Sequence, residues 1–216
     1  MDFAGAFSAA NLGFLMDGFY LTLIVAFVSI ILSFVIGTVV GVIRYAEVPV
    51  LSPVMFFLVE LIRNLPLLLI IFFVRFALPE VGIKMGLTTA AIAALTVFEA
   101  AMIAEIVRGG LTSIDKGQIE AARSSGLSNF QTLWHIVLPQ GLRHMVPPLV
   151  SQFISLLKDT SLATIVALPE LMHNAKIVMG QKDSYTIPIL LLIAVLYFTV
   201  NFLLSLVSRR LEHKTA

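Results

Sequence analysis

The chain contains no cysteine, and only 12% of its 216 residues are charged. The lack of cysteine excludes disulfides, thiolate metal sites and a cysteine nucleophile. A soluble domain carries about twice as much charge, and the net charge of +1 gives no support to nucleic-acid binding. Because 59% of the residues are hydrophobic, we expect an integral membrane protein with a single domain over residues 1–216.

Signatures of catalysis and of ATP binding are also missing. No Gly-x-x-x-x-Gly-Lys-Ser/Thr phosphate-binding loop occurs, so the chain cannot bind ATP by that route. The four histidines, at positions 135, 144, 173 and 213, are scattered and lack the spacing of metal ligands. We therefore expect no catalytic residue, cofactor or metal, and a membrane-embedded enzyme is the weakest functional hypothesis. No basic region precedes the first apolar run, so we also expect no cleaved signal peptide.

Long apolar runs indicate helices that cross the membrane, since a bilayer core of roughly 30 Å needs about 20 apolar residues. The uncharged run 145–157 is too short to cross alone, so it must continue through residues 158–161, with Pro147 and Pro148 setting its start. Residues 1–16 read as a short helix at the membrane surface. The fold prediction is an all-α membrane protein with five spans: 17–44, 51–74, 87–107, 145–161 and 186–207.

The distribution of basic residues predicts the orientation of these spans. If residues 110–144 lie inside the cell, eight basic residues lie inside and three or four outside, as the positive-inside rule requires. The amino terminus is then outside and the carboxyl terminus in the cytoplasm. The inside residues are Arg44, Arg108, Lys116, Arg123, Arg143, Arg209, Arg210 and Lys214; the outside ones are Lys84, Lys176 and Lys182, with Arg75 near the boundary.

Polar side chains inside the second span are expensive, because an ionisable group at membrane depth costs roughly 2.5–3.5 kcal/mol on insertion scales. Glu60 and Arg63 are three residues apart, so they can pair with each other on a helix, and Asn64 follows. Pro66 then breaks the helix, which favours a position beside a cavity. Both an internal ion pair and a substrate pathway remain open for these residues.

The third and fourth spans hold further polar groups. Glu105 lies one turn from Arg108, which favours an ion pair at the inner surface. Glu99 lies deeper without a nearby partner in sequence, so it is a candidate for a group facing the pathway. In the fourth span, the adjacent opposite charges Lys158 and Asp159 are followed by Thr160 and Ser161, and an ion pair of Asp159 with Lys158 or with another helix remains open.

Between spans 3 and 4 lies a polar, helix-forming segment. Asp115 is a helix cap with Gln118 three residues on, and Gly126 is suited to the left-handed end of that helix. Ser128 caps a second helix with Gln131 three residues on, and Pro139 should end it. The pattern predicts two helices joined by a glycine elbow.

This segment resembles the EAA motif of permease subunits in bacterial ABC importers. The matching anchors are Glu120-Ala121-Ala122, three residues, Gly126, nine residues, Ile136, one residue, and Leu138-Pro139. Two further stretches, Arg63–Leu68 and Leu157–Leu162, resemble segments of permeases for polar amino acids. The resemblance implies a type I importer permease in a bacterial inner membrane, with residues 110–144 forming a cytoplasmic coupling loop.

The resemblance also implies partners and residue roles. Two permease subunits would form the pathway, separate ATPase subunits would bind ATP and Mg²⁺ and contact the loop, and an extracytoplasmic binding protein would deliver substrate. The predicted coupling residues are Glu120, Ala121, Ala122, Gly126, Ile136, Leu138 and Pro139. The predicted pathway residues are Glu60, Arg63, Asn64, Pro66, Leu67, Glu99, Asp159, Thr160 and Ser161.

For the substrate, we favour an acidic or amide amino acid: glutamate, aspartate or glutamine. Arg63 would offset a carboxylate, and by resemblance Asp159 would contact the amino group. Basic amino acids stay open because Glu60, Glu99 and Asp159 equally suit a cation. The alternative function is a secondary transporter driven by an ion gradient, in which the same three carboxyl groups relay protons.

Overall fold

A computed structural model describes the backbone of residues 1–215 and the side chains of that range except those of 207–209 and 211–215. This described part is helical and contains no strand. The prediction of an all-α protein is therefore confirmed. The side chains of Arg209 and Lys214, counted above among the inside charges, lie outside the described residues.

The first span is longer than the sequence suggested. A single turn, α1 (Phe3–Ala6), is followed by α2 (Ala9–Tyr45), whose first residue follows the cap Ser8. The prediction of a separate surface helix over 1–16 is wrong, because Asp17 is exposed on the side of α2 and does not interrupt it. At 1.5 Å per residue, α2 is about 55 Å long, so it extends beyond the hydrocarbon layer.

The second span is broken, as Pro66 predicts. It consists of α3 (Leu51–Arg63), and then of α4 (Leu67–Phe72), a π-helical turn (Phe73–Ala77) and α5 (Leu78–Glu80). The two halves meet at an angle of 102°. Proline at position 66 has no N–H to donate, and its carbonyl accepts bonds from the amides of Leu69 and Ile70 at 2.9 and 3.3 Å. The break therefore starts the second half rather than ending the span.

The third span, α6 (Leu87–Thr112), packs along α2. Two glycines of α2, four residues apart, permit this contact. A Cβ on Gly37 would lie 2.7 Å from the carbonyl oxygen of Ala100, and one on Gly41 would lie 2.7 Å from that of Ala104. These backbones are too close for any side chain at either position.

The fourth span begins earlier than predicted. After α7 (Lys116–Ser124), a continuous helix comprises α8 (Asn129–Thr132), a π-helical turn (Leu133–Val137) and α9 (Leu138–Asp159). Pro147 and Pro148 lie inside α9 and do not start the span. Neighbouring helices in a membrane can satisfy the backbone groups that proline leaves free. Proline therefore does not end this helix as it would in a water-soluble protein. A 3₁₀ segment (Thr160–Val166) completes this span.

The last part of the chain packs back on the first. Helix α10 (Leu171–Met179) is capped by the buried carboxylate of Glu170, and a short 3₁₀ turn (Asp183–Tyr185) leads into α11 (Thr186–Thr215). The Leu171 amide donates to Thr22 Oγ1 at 3.1 Å, which ties α10 to α2. Among the described residues, four helices are long and apolar enough to cross a membrane, and the bent second span makes five, as the sequence predicts.

Candidate functional site

The two short helices α7 and α8, with the elbow between them, form a polar projection that we call the knob (residues 115–132). Asp115 Oδ1 accepts a hydrogen bond from the Gly117 amide at 2.7 Å, so Asp115 caps α7 as predicted. The capping box predicted with Gln118 is wrong, because the Gln118 carboxamide oxygen instead accepts a bond from Gln140 Nε2 at 2.7 Å. That bond attaches α7 to the start of α9.

The elbow and the second cap agree with the sequence. Gly126 has φ of +90°, a backbone conformation that side chains disfavour. Ser128 and Gln131 form the predicted capping box: the Gln131 amide donates to Ser128 Oγ at 3.2 Å, and the Ser128 amide donates to Gln131 Oε1 at 2.8 Å. Local sequence therefore determines the elbow and the start of α8.

Pro139 does not end the second helix, contrary to the prediction. The π-helical turn at Leu133–Val137 widens the helix just before it, and Pro139 lies in the first turn of α9. The proline has no N–H to donate and its ring clashes with the preceding turn of a regular α-helix, so the wider π-helical turn directly before it lets the helix continue. The knob is thus continuous with the fourth span, and a movement of one is transmitted to the other through unbroken backbone.

The predicted coupling residues divide into two groups. Glu120, Ala121 and Gly126 are exposed on the knob, and Pro139 is exposed at the start of α9. The remaining three contact the protein interior: Ala122 is buried, and Ile136 and Leu138 are half-buried. The first group is exposed, and of the second group Leu138 packs against the apolar cluster that includes Val107 and Leu111 of α6.

The knob ends of three spans are joined by a charged network that we call the arginine cluster (Arg44, Glu60, Arg63, Glu105, Arg108). Arg44, whose side chain is only 4% exposed, donates from Nη1 to Glu105 Oε2 at 2.8 Å. Arg108 pairs with the same carboxylate, with Nε 3.2 Å from Oε2. The predicted Glu105–Arg108 pair is therefore present, but Arg44 of α2 is a partner that sequence spacing does not reveal.

The polar residues of the second span belong to this cluster. Arg63 Nη1 lies 3.1 Å from Glu60 Oε1 and 3.8 Å from Glu105 Oε2. Asn64 Nδ2 donates to the Glu60 carbonyl at 2.7 Å. The Glu60–Arg63 ion pair that the spacing allows is therefore present. In this conformation two carboxylates offset the charge of Arg63. A cavity of about 690 Å³ opens beside the cluster, lined by Arg44, Glu47, Ser52, Pro53, Phe56, Glu60, Glu105 and Arg108.

The break at Pro66 lies beside apolar space. Leu67 is buried in the core between α4 and α6. An apolar cavity of about 510 Å³ adjoins the break, lined by Leu61, Ile62, Leu65, Leu69, Ile70, Phe73, Val74, Leu78 and Val97. Of the predicted pathway residues, Pro66 and Leu67 therefore shape the backbone and the packing here, and the polar groups lie elsewhere.

Deeper in the spans, Glu99 has an unexpected partner. Its side chain is fully buried, and Oε2 accepts a bond from Gln152 Nε2 of α9 at 2.8 Å. The other oxygen, Oε1, is buried without a hydrogen-bond partner among the described residues. The sequence analysis did not identify Gln152 as a partner of Glu99. The pattern that could have indicated it is a carboxamide seven residues before Asp159, on the same face of α9.

Asp159 is the last residue of α9, and Thr160 and Ser161 follow it in the fourth span. Asp159 is half-buried at the end of α9, two turns after Gln152, the partner of Glu99. The hydroxyls of Thr160 and Ser161 donate to the carbonyls of Leu157 and Lys158, each at 2.7 Å, so both are occupied by local bonds. Asp159 makes no ion pair with a described side chain, which leaves its charge available.

The structure thus separates the predicted pathway residues into two places. Glu60, Arg63 and Asn64 join the arginine cluster at the knob end, whereas Glu99 lies between α6 and α9 with Gln152, and Asp159 lies two turns further along α9. Within residues 1–215 as described, no three His, Asp or Glu side chains converge as metal ligands.

Comparison with known proteins shows where this architecture occurs. Residues 33–216 match the family model described as binding-protein-dependent transport system inner membrane component. The chain is 67% identical to the probable glutamine ABC transporter permease protein GlnP of Bacillus subtilis, covering 98% of both chains. It is 38% identical to the probable glutamine ABC transporter permease protein GlnM of the same organism, covering 94% of both.

A solved structure has the same fold. In the crystal structure of an amino acid ABC transporter with histidines, one chain superimposes with a TM-score of 0.91 at 25% identity, over 99% of both chains. The bent second span and the knob therefore belong to a known architecture for membrane transport.

Proposed function

Because this chain belongs to the family of binding-protein-dependent transport system inner membrane components, and is an amino acid ABC transporter permease, we propose that it forms the pathway of an ATP-driven glutamine importer. It is a multi-pass protein of the inner membrane. The observation that carries the proposal is the exposed, doubly capped knob on a chain without a phosphate-binding loop. Such a chain needs energy from a partner and carries a rigid surface for one.

Coupling would run through the knob. An ATPase subunit would contact its exposed group, Glu120 and Ala121 around the elbow at Gly126. Since α8 continues into α9 without a break, displacement of the knob would tilt the fourth span and change which side of the pathway is open. Leu138 supports this transmission because it packs in one apolar cluster with Val107 and Leu111 of the third span.

The orientation and the partners follow from the same proposal. The knob would lie in the cytoplasm, with the amino terminus outside and the carboxyl terminus inside, in agreement with the distribution of basic residues. A second permease subunit would complete the pathway, since five spans enclose little space alone. An extracytoplasmic binding protein would deliver the amino acid, and the ATPase subunits would hold ATP and Mg²⁺.

Among glutamate, aspartate and glutamine, we propose glutamine as the substrate. The names of two relatives that match nearly the whole chain support glutamine. In the spans, Asp159 and the unpartnered Oε1 of Glu99 would accept hydrogen bonds from the substrate's ammonium group. Arg63 would reach a substrate carboxylate only after release from Glu60, because the two side chains are paired at 3.1 Å.

Uptake into liposomes tests the proposal. The chain is reconstituted with its ATPase, and the binding protein and labelled amino acids are supplied on the opposite side. We expect uptake that requires ATP on the knob side and prefers glutamine over glutamate, aspartate and arginine. Uptake that ignores ATP and follows an imposed proton or sodium gradient would establish the secondary transporter instead. Preference for another amino acid would refute the substrate assignment alone.

Replacement of Asp159 tests its role in the pathway. Asp159→Asn keeps the shape but removes the charge that would bind the ammonium group, a charge-assisted hydrogen bond of roughly 1.5–3 kcal/mol. We expect half-maximal uptake to need at least about tenfold more substrate, with assembly of the ATPase complex unchanged. Asp183→Asn, in the exposed turn before α11, is the matched control. Failure of Asp159→Asn to assemble would show that Asp159 is structural.

A further inference from the structure

Two large aromatic side chains are exposed, one at the end of the knob and one just beyond it. Phe130 is 68% exposed and Trp134 is 53% exposed. They are four residues apart on one helical face, and their ring centroids lie 6.0 Å apart. The opposite face of this segment is buried at Thr132 and Val137. No described residue covers the pair, which therefore forms a small apolar patch.

The depth of the pair is set by the first span. Phe130 shares a cavity of about 400 Å³ with Tyr45 and Ala46, at the end of α2. Val137, in the same helix as the pair, packs in the cluster that also includes Tyr45. The aromatic pair is thus level with the knob end of a membrane span, where the chain enters the bilayer. A bilayer has a polar interfacial layer there, outside the roughly 30 Å hydrocarbon core.

We propose that Phe130 and Trp134 insert into this interfacial layer and anchor the knob to the lipid surface. Tryptophan is enriched at membrane interfaces because its ring is apolar and its N–H needs a polar partner. Arg123 lines the same cavity as Phe130. Cationic side chains at this level attract anionic headgroups, so charge and apolar surface both fit a bilayer.

A lipid partner explains the patch better than the ATPase does. The exposed side chains of α7 are polar or small, among them Lys116, Gln118 and Glu120. The aromatic pair instead belongs to the helix that enters the membrane. The anchor would act as a fixed point: when the knob is displaced, the helix would pivot at the bilayer surface, and α9 would tilt within it.

Fluorescence of the native chain tests this anchor, because Trp134 is its only tryptophan. The full chain is placed in lipid nanodiscs containing lipids brominated near the headgroup, lipids brominated near the chain end, or neither. We expect blue-shifted emission that loses most of its intensity with headgroup-proximal bromine, less with deep bromine, and little with aqueous iodide. Strong iodide quenching without quenching by either brominated lipid would overturn the proposal.

Two variants in a Trp134→Phe background calibrate the depth. Phe198→Trp places a reporter on the exposed middle of α11 and should be quenched by deep bromine. Ser125→Trp places one in the exposed elbow and should be quenched by iodide. If Trp134 behaves like the elbow reporter, the pair lies in water.

A last measurement separates lipid from the ATPase. The ATPase is added to nanodiscs, and the difference between the native and Trp134→Phe spectra removes the signal of its own tryptophans. We expect Trp134 emission and bromine quenching to stay unchanged. A blue shift that arises only on addition of the ATPase, together with loss of iodide access, would assign the pair to the ATPase interface and refute the lipid anchor.

Discussion

Gly126→Val is expected to abolish ATP-dependent uptake while the subunits still assemble. Gly126 has φ of +90°, and no heavy atom lies within 4 Å of the position that its Cβ would occupy. The penalty is therefore in the backbone: the left-handed conformation costs an ordinary residue roughly 1–2 kcal/mol, and β-branched residues tolerate it worst. The elbow would relax to another angle and misplace α7 on its partner.

The elbow variant is measured as uptake per ATP hydrolysed in liposomes. Gly109→Val is a matched control, because Gly109 is helical, close to the knob, and also free of atoms within 4 Å of an added Cβ. Gly126→Asn should restore part of the uptake, since asparagine tolerates the left-handed conformation. Normal coupled uptake in Gly126→Val would show that the elbow angle is not required.

Glu105→Gln is expected to destabilise the protein more than any other single change in the arginine cluster. The substitution keeps the shape but leaves Arg44, Arg63 and Arg108 without their shared carboxylate. Breaking a buried ion pair costs roughly 3–5 kcal/mol, and the 24% exposure of the Glu105 side chain places this case at the lower end. A loss of about 3 kcal/mol lowers the melting temperature by roughly 6–12 °C in a chain of this size.

Thermal unfolding in nanodiscs measures this effect. Glu80→Gln is the control, since Glu80 is an exposed glutamate at the end of α5 that forms no ion pair with a described residue. Arg44→Met in the Glu105→Gln background should recover stability, because the buried charge is removed together with its lost partner. An unchanged melting temperature in Glu105→Gln would show that the cluster contributes little to the fold.

Local features were predictable because their causes lie within a few residues. Asp115 and Ser128 cap helices wherever the chain places them, and only a glycine such as Gly126 suits the elbow. The break at Pro66 follows from a missing N–H. The span count and the resemblance of the knob to a known motif needed no more than spacing along the chain.

Other features depend on how distant helices align. Arg44 meets Glu105, and Gln152 meets Glu99, only because α2 and α9 pack on α6 in one particular register. The prediction that Pro139 ends the second helix was wrong because a π-helical turn, which has no clear sequence signal, lets the helix continue through the proline. The position of Asp17 within α2 was missed because a charge ends an apolar run without ending a helix.

The pairing of Arg44 with Glu105 has a consequence for biogenesis. The two residues are 61 positions apart, so at roughly 5–20 residues per second Arg44 leaves the ribosome about 3–12 seconds before its partner. With the knob proposed to lie in the cytoplasm, its unpaired charge would meanwhile favour keeping the end of the first span on that side. Once the third span inserts, Glu105 would neutralise the charge. The same guanidinium would therefore first favour one orientation of the first span and then join the spans.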